Sequence, residues 1–371
     1  MLISTCLFLV AQIGASTSTS PKLDLVLRLS PTVLDYELPG HPHMLGRGHV
    51  GLLARAGFHY QPNPYVKIGA GILGRVPFAL QNEDYADAIA TLFIEGHPLG
   101  NDDLIMRFGS LKTDHGYHSA VVDEARFSIS RNVLETYNRS LPEEAHRTSL
   151  PRNAMPAEHG AQVIYQRDNL KAELFLDWQL LETDTHREKF NFGAIAQFNS
   201  RWADLGAQFR LTHYGGQIFT QGDPIRFAQL DPVRQPETFA LTLNIHAIQF
   251  ENLALNVLAN AVTGHLRQSV GGEEKWHYGF EGGLESIWYD HLKFSYRYWW
   301  PKNGKAGFLS EDSEPSYNQG ITHRVEIGLL QTMGGLLIDG RLAIIFPEDA
   351  PDKVQYLAIT QVSYDFIHKI F

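Results

Sequence analysis

The stretch "NLKAELFLDWQLLE", residues 169–182, alternates between two kinds of side chain in steps of two. One face carries only apolar residues: Leu170, Ala172, Leu174, Leu176, Trp178 and Leu180. The other face carries three charges: Lys171, Glu173 and Asp177, with Phe175 and Gln179 between them. A period of two is that of a β-strand, whose successive side chains point to opposite faces. Globular strands are usually about 5–6 residues long, whereas a tilted strand that crosses a bilayer needs about 9–11. The length and the two-sidedness therefore favour a membrane-spanning strand.

The overall composition excludes several classes of function. The chain of 371 residues has a formal net charge of −10, which argues against nucleic acid as a partner, because nucleic-acid binding needs a basic face. No zinc-finger, phosphate-loop or dinucleotide-binding motif is present. After residue 20 no run of apolar residues approaches the 18 that a transmembrane helix requires.

The first residues, "MLISTCLFLVAQIGASTSTSPK", are typical of a secretory signal peptide. Residues 2–14 are uncharged and mostly apolar, and the small residues Ala15 and Ser16 follow. We expect cleavage near Ala15, which makes residues 1–15 the signal peptide. A short N-terminal anchor or a buried strand is the alternative. Cys6, the only cysteine, lies in this segment, so disulfides do not stabilise the mature chain.

The same alternation recurs along almost the whole chain, and turn-like breaks divide it into sixteen strands. The predicted strands are 22–36, 48–60, 65–76, 85–97, 102–112, 159–166, 170–182, 188–200, 205–215, 237–250, 253–265, 276–288, 292–300, 321–332, 337–346 and 354–366. Short connections such as 251–252 alternate with long ones such as 216–236, which is the habit of outer-membrane barrels. The pattern predicts an all-β fold, in which residues 16–371 form a single transmembrane antiparallel β-barrel of about 16 strands. Long loops are then extracellular and short turns periplasmic. The alternating segment 124–132 leaves eighteen strands open as the alternative.

These features resemble the Gram-negative outer-membrane β-barrels, and the porin-like ones in particular. The resemblance rests on the strands, the alternating loops, the signal-like start and the aromatic last residue, Phe371, which is out of phase with the last strand. It implies location in the cell outer membrane, contact with membrane lipid and lipopolysaccharide, insertion by the barrel-assembly machinery, and a homo-oligomer as one option. In many porins the third long loop folds into the pore, and the third long connection here is residues 113–158.

The polar faces of the strands define the expected lumen. Facing lipid at the midplane would cost about 2–4 kcal/mol for each Arg or Lys, so the charged faces must point inward. The predicted pore-lining residues are Arg55, Glu95, Arg107, Lys171, Glu173, Asp177, Arg210, Glu281, Glu285, Lys293, Arg297, Arg324, Glu326, Asp339 and Arg341. Each of them alone also fits a salt bridge that steadies the wall. Aromatic residues near strand ends, including Tyr214, fit interfacial girdles, and Trp299, on the inward parity, is a candidate platform for stacking a sugar.

The loop 113–158 carries the densest group of ionisable residues. The candidates for a constriction are Asp114, His115, His118, Asp123, Glu124 and Arg126. Some of these are residue types that bind metals, but the His115-x-x-His118 spacing is weak evidence for a metal site. A solvated or ion-paired constriction loop is the preferred interpretation. A hydrolytic site at His115 or His146 has no supporting nucleophile motif.

The sequence therefore predicts a channel, not an enzyme, without a metal or other cofactor. Its expected function is passive diffusion of small hydrophilic solutes through a mixed-charge pore. The alternatives are an export barrel for a polar polymer, or a plugged barrel that acts as an enzyme or an anchor.

Overall fold

The computed structural model describes most of the chain in separate segments. The described residues are 20–37, 47–77, 87–112, 115–122, 158–180, 188–215, 234–268, 275–302, 317, 320–333, 336–348 and 354–370. The expected signal peptide, residues 1–15, lies outside these segments, and so does most of the long loop.

The described residues form sixteen strands, which follow the alternating segments of the sequence closely. They are β1 (Lys22–Glu37), β2 (Arg47–Asn63), β3 (Val66–Pro77), β4 (Asp87–Gly96), β5 (Leu104–Ser110), β6 (His159–Arg167), β7 (Leu170–Leu180), β8 (Glu188–Asn199), β9 (Ala203–Gly215), β10 (Arg234–Phe250), β11 (Leu253–Gln268), β12 (Lys275–Trp288), β13 (Leu292–Pro301), β14 (Thr322–Met333), β15 (Leu336–Pro347) and β16 (Gln355–Lys369).

Each strand pairs antiparallel with the next, and β1 pairs with β16, which closes the barrel. Closure satisfies the backbone of every strand without leaving an edge, which the hydrocarbon core of a membrane demands. The sixteen-strand prediction is confirmed. Residues 124–132, on which the eighteen-strand alternative depends, lie outside the described residues. No helix in the described segments is long and apolar enough to cross a membrane.

The two faces of β7 show which side of the wall is the outside. Leu174 and Trp178 are 52% and 42% exposed, whereas Phe175 and Asp177 are 2% and 1% exposed. The apolar parity therefore faces outward, where lipid covers it, and the charged parity faces a filled interior. Other strands repeat this arrangement, as in β12, where Phe280 is exposed and its neighbour Glu281 is buried.

Part of the long loop between β5 and β6 lies inside the barrel. Residues 115–122, which we call the strap, run along the inner wall from β7 to β12, and Ala120 and Val121 are fully buried. The strap belongs to one buried apolar cluster with inward side chains of the wall: Leu111, Tyr117, Ala120, Val121, Val122, Phe175, Ile195, Ala240, Val262, Trp299 and Tyr317.

A glycine in the wall makes room for the strap. A Cβ atom at Gly193 in β8 would lie 2.2 Å from both the Tyr117 hydroxyl and the ring of Phe175. The absence of a side chain therefore allows the strap to lie close against the sheet.

Candidate active site

The structure places the predicted pore-lining residues on the inward side of the barrel wall. Most of them are buried, including Glu95, Glu173 and Asp177 at 1–2% exposure. The side chain of Arg341 is 48% exposed and is paired with Asp339 at 2.7 Å. The half-buried members are Arg55, Lys171, Lys293, Arg297 and Asp339. Inward placement is observed, whereas their role in a pore stays a prediction.

Many of these charges are paired with each other across or along strands. Arg107 Nη1 lies 2.6 Å from Glu95 Oε1, and Lys293 Nζ lies 2.5 Å from Glu285 Oε2. In β14 the Arg324 guanidinium donates to Glu326 at 2.5 Å. Buried charges require such partners, because an uncompensated ion in a protein interior is strongly destabilising. The lumen is thus lined by ion pairs rather than by charges of one sign.

The first end of the strap is held by His115. Its Nδ1 contacts the carboxylate of Glu173, its Nε2 lies 2.6 Å from Glu158 Oε2, and its ring stacks on Phe175 at 4.1 Å. Burial by itself lowers the pKa of His115, but the carboxylates of Glu158 and Glu173 outweigh it and raise the pKa to about 10. The imidazole is therefore a charged anchor at neutral pH and cannot serve as a general base.

The middle of the strap is held by His118 on another part of the wall. His118 Nε2 lies 3.2 Å from Glu281 Oε1, and its backbone N–H donates to Gln208 Oε1 at 2.7 Å. The hydroxyl of Tyr317 donates to the same Glu281 carboxylate. The strap is thus fixed to β7, β9 and β12 by polar contacts.

These positions separate the two histidines of the proposed metal-ligand set. His115 binds carboxylates near β7, whereas His118 binds at β12, so they do not converge. Within the described segments no group of three or more His, Cys, Asp or Glu could hold a metal ion. Four candidate constriction residues, and His146, lie outside the described residues: Asp114, Asp123, Glu124 and Arg126. Constriction of a pore by the whole loop stays a prediction.

Two aromatic residues differ from the expectation. Trp299 is 2% exposed and packs edge-on against Tyr317 at 5.2 Å, so no surface is free for stacking a sugar. Tyr214 is 7% exposed, and Lys189 lies over its ring at 4.9 Å, so it is not part of an interfacial girdle. The alternation shows that a residue faces the interior of the barrel. It does not show which other side chains pack against that residue there.

A hydrogen-bonded chain of three side chains lies on the outer surface. Tyr296 Oη is 2.7 Å from His323 Nδ1, and His323 Nε2 is 3.0 Å from Glu348 Oε1. Tyr296 is 43% exposed, and the side chains of His323 and Glu348 are 35% and 47% exposed. We call Tyr296, His323 and Glu348 the outer triad.

The strand register explains how these residues meet. Tyr296 in β13 is opposite Val325 in β14, and His323 is two residues away on the same face. Such diagonal neighbours are within reach of a long aromatic side chain. Glu348 directly follows β15, and its backbone N–H donates to the carbonyl of Ile321 at 2.9 Å, which places it beside the start of β14. The triad therefore lies near the rim that carries the long loops.

The geometry assigns roles to the two ring nitrogens of His323. Because Glu348 accepts a hydrogen bond from Nε2–H, Nδ1 is the acceptor and receives the hydrogen of the Tyr296 hydroxyl. A carboxylate, an imidazole and a hydroxyl in this order are the arrangement that activates a nucleophile for acyl transfer.

The outer triad is not among the residues that the sequence pattern indicates. Those candidates lie on the polar strand faces and in the long loop, whereas Tyr296 and His323 lie on the apolar parity. The available signal was His323 itself, an ionisable residue between the lipid-facing Ile321 and Val325 in "ITHRVEIGLL". Ionisable side chains are rare on a lipid face and are retained mainly for function.

A second histidine–hydroxyl pair is less suited to chemistry. Ser110 Oγ lies 3.3 Å from His159 Nδ1, but Ser110 is 3% exposed and accepts the backbone N–H of Leu92 at 3.1 Å. Among the described residues no carboxylate hydrogen-bonds to the ring of His159. The pair satisfies the backbone where the ladder between β4 and β5 ends.

A comparison with models of protein families shows to which family the chain belongs. The family model described as lipid A 3′-O-deacylase-type matches residues 17–229, more than half of the 371 residues. The chain belongs to this family. The prediction that the protein is not an enzyme is therefore wrong, because the family is that of a deacylase. The match spans β1–β9, and the outer triad lies beyond it. No protein of curated function matches the chain in sequence.

Solved structures share the fold of this member of the deacylase-type family. OmpT of Vibrio cholerae, in its trimer form, is 9% identical with a TM-score of 0.51, covering 94% of this chain and 100% of that one. An anion-selective porin from Comamonas acidovorans is 10% identical with a TM-score of 0.50, covering 94% and 99%. These likenesses show the fold alone. With the closed barrel, they identify an outer-membrane protein of porin-like architecture.

Proposed function

We propose that this protein is an outer-membrane hydrolase that removes an ester-linked acyl chain from a glycolipid of the lipid A type. Membership of the deacylase-type family carries the proposal. The outer triad supports it, because an enzyme acting on a membrane lipid needs its catalytic groups on the lipid-facing surface. In such a glycolipid the ester joins the sugar to the acyl chain, so it lies at the membrane–water interface. The rim of the barrel that carries the long loops lies at the same interface.

The roles follow from the hydrogen bonds. Tyr296 Oη attacks the ester carbonyl while His323 Nδ1 takes its proton, and Glu348 holds the imidazole through Nε2–H. The sugar hydroxyl leaves with that proton, and the acyl group stays on Tyr296. Water then attacks the tyrosyl ester, again losing its proton to His323, and the fatty acid and the Tyr296 hydroxyl are released.

The interior supports a mechanical role rather than a catalytic one. The strap is anchored by His115 and His118 to opposing carboxylates, and the charges around it are paired. This fits the plugged barrel better than an open channel. Passive diffusion of hydrophilic solutes remains the second candidate, which the exposed inward charge of Arg341 favours.

The test measures release of fatty acid from purified lipid A by the folded protein in detergent, with mass spectrometry of the product. The wild type is expected to lose one ester-linked acyl chain. His323→Gln is expected to lower the rate by about 10²–10⁴-fold, the usual contribution of a general base. Tyr296→Phe removes the nucleophile and is expected to lower the rate at least as much. Ser110→Ala is the matched variant at the buried pair and is expected to retain activity.

The outcomes separate the two sites. Loss of activity in Ser110→Ala together with an active Tyr296→Phe would move the reaction to Ser110 and His159, which lie within the matched residues. No release of fatty acid by the wild type, together with stable conductance steps in a planar bilayer, would replace the hydrolase with the channel.

A further inference from the structure

A groove on the outer surface of the barrel lies beside the outer triad. It has a volume of about 870 Å³ and is lined from the outward side of β7–β13. Small side chains line two parts of it: Ala196 and Ala207 on β8 and β9, and Ala259 and Gly282 on β11 and β12. Leu241 and Leu243 of β10 lie between these two parts. Phe198 and Leu205 line one end, and Phe280 and Trp300 the other.

The register explains why a depression forms there. Ala196 is opposite Ala207 across β8 and β9, and Ala259 is opposite Gly282 across β11 and β12. Small residues on adjacent strands lower the surface, because no side chain fills the space above the sheet. The flanking rings of Phe280 and Trp300, stacked at 6.3 Å, stand above it.

The groove borders the outer triad through one of its lining residues. Tyr298 lines the groove, and its ring lies 5.0 Å from that of His323. A lipid whose ester lies at Tyr296 therefore has the groove next to its acyl chain. Five strand spacings of about 4.8 Å make the groove about 24 Å long across the strands from β8 to β13.

We propose that this groove binds the fatty acyl chain of the glycolipid substrate and selects it by length. The inference rests on the proposed function and names the substrate group that the site recognises. Its occupant is an acyl chain because the lining is almost wholly apolar, the surface faces membrane lipid, and the lining residue Tyr298 lies next to the candidate catalytic histidine. A groove of fixed length distinguishes acyl chains by their length. Each methylene group that fits adds apolar contact and binding free energy, and each methylene group beyond the groove adds none.

Two glycines provide a matched pair of variants. A Cβ atom at Gly282, in the groove floor, would meet nothing within 4 Å, and the same holds for Gly340 on the outer face of β15, away from the groove. Gly282→Leu therefore fills the groove without a clash in the wall, and Gly340→Leu adds the same bulk elsewhere. Folding of each variant is judged by heat modifiability, the shift in gel mobility of the barrel on heating. Ala259→Leu is a second groove variant in case Gly282→Leu does not fold.

The experiment compares kcat/KM on lipid A-type esters that differ only in acyl length. Gly282→Leu is expected to lower kcat/KM for the longest chain at least tenfold and for the shortest less than twofold, with Gly340→Leu within twofold of wild type throughout. An active Gly282→Leu that matches Gly340→Leu for every length would overturn the groove and leave the hydrolase standing.

A binding readout keeps the groove separate from the reaction. A glycolipid with a photoactivatable acyl chain, in detergent micelles, is expected to crosslink the wild type and Gly340→Leu at residues 253–268 and 275–288, and Gly282→Leu at least fivefold less. This pattern of crosslinking in a wild type that releases no fatty acid would support the acyl-binding groove and reject the hydrolase function. Equal crosslinking of all three proteins would reject the groove whatever the activity.

Discussion

The anchor at His115 permits a worked prediction of stability. Glu158 and Glu173 are 1% and 2% exposed, and His115 is the cation between them. His115→Gln leaves two buried carboxylates without that charge, and removing one partner of a buried pair costs about 3–5 kcal/mol. Unfolding entropy of about 2.1 cal/mol/K per residue gives roughly 0.8 kcal/mol/K for this chain. The variant is therefore expected to unfold about 4–6 °C below the wild type at pH 6.5.

The pH dependence of this difference has a definite sign. The pKa of His115 rises from 6.5 to about 10 on folding, so the folded state holds the proton more tightly. The stabilisation is full below pH 6.5, falls as the pH rises from 6.5 towards 10, and is absent above that. The gap in unfolding temperature between wild type and His115→Gln should therefore shrink over this range.

The assay is thermal unfolding of the detergent-folded barrel, followed by tryptophan fluorescence at half-unit steps from pH 6 to 10.5. His291→Gln, at an exposed turn between β12 and β13, is the control for the loss of a histidine. A difference in unfolding temperature between wild type and His115→Gln that stays constant from pH 6 to 10.5 would refute the role of His115 as a charged anchor. A gap that widens with pH would show that burial, not the carboxylates, decides the protonation of His115.

Four further predictions follow from the described contacts. Phe175→Ala empties a position that is 2% exposed beneath His115, and should cost about 3–5 kcal/mol in denaturant unfolding. Gly193→Ala places a Cβ atom 2.2 Å from the Tyr117 hydroxyl and should cost about 1–3 kcal/mol, with Gly340→Ala as an uncrowded control, so equal midpoints would contradict the close approach. Glu348→Gln should lower the rate of deacylation about 10²-fold or more with little change in KM, because it orients His323 without contacting the ester. Deletion of residues 115–122 should raise single-channel conductance in a planar bilayer, and an unchanged current would reject the strap as an obstruction of the lumen.

The wall of the barrel was predictable from the sequence because one rule governs every strand. A residue such as Trp178 must face lipid and its neighbour Asp177 must not, since a charge in hydrocarbon costs several kcal/mol. This constraint repeats with period two, so "NLKAELFLDWQLLE" already specifies a spanning strand and the inward side of its charges. The alternation of short turns and long loops then specifies an antiparallel ring and an even strand number.

The candidate site was not predictable in the same way. Tyr296, His323 and Glu348 belong to three different elements, and their meeting depends on the register of β13 against β14 and on the backbone contact between Glu348 and Ile321. A periodic pattern places a side chain on a face but does not select its cross-strand neighbour. The path of the strap is likewise decided by contacts distant in sequence, such as His118 with Glu281.

The sequence by itself thus determined the strand pattern, the two faces and the membrane environment, because these follow from local alternation and the cost of polar groups in lipid. Only the tertiary structure decided that His115 is an anchor between two carboxylates, and that His323 lies between a carboxylate and a hydroxyl on the outer surface. The physical reason is that the chemistry of a histidine depends on its partners within about 3 Å, and those partners are set by register and loop path rather than by neighbours in the chain.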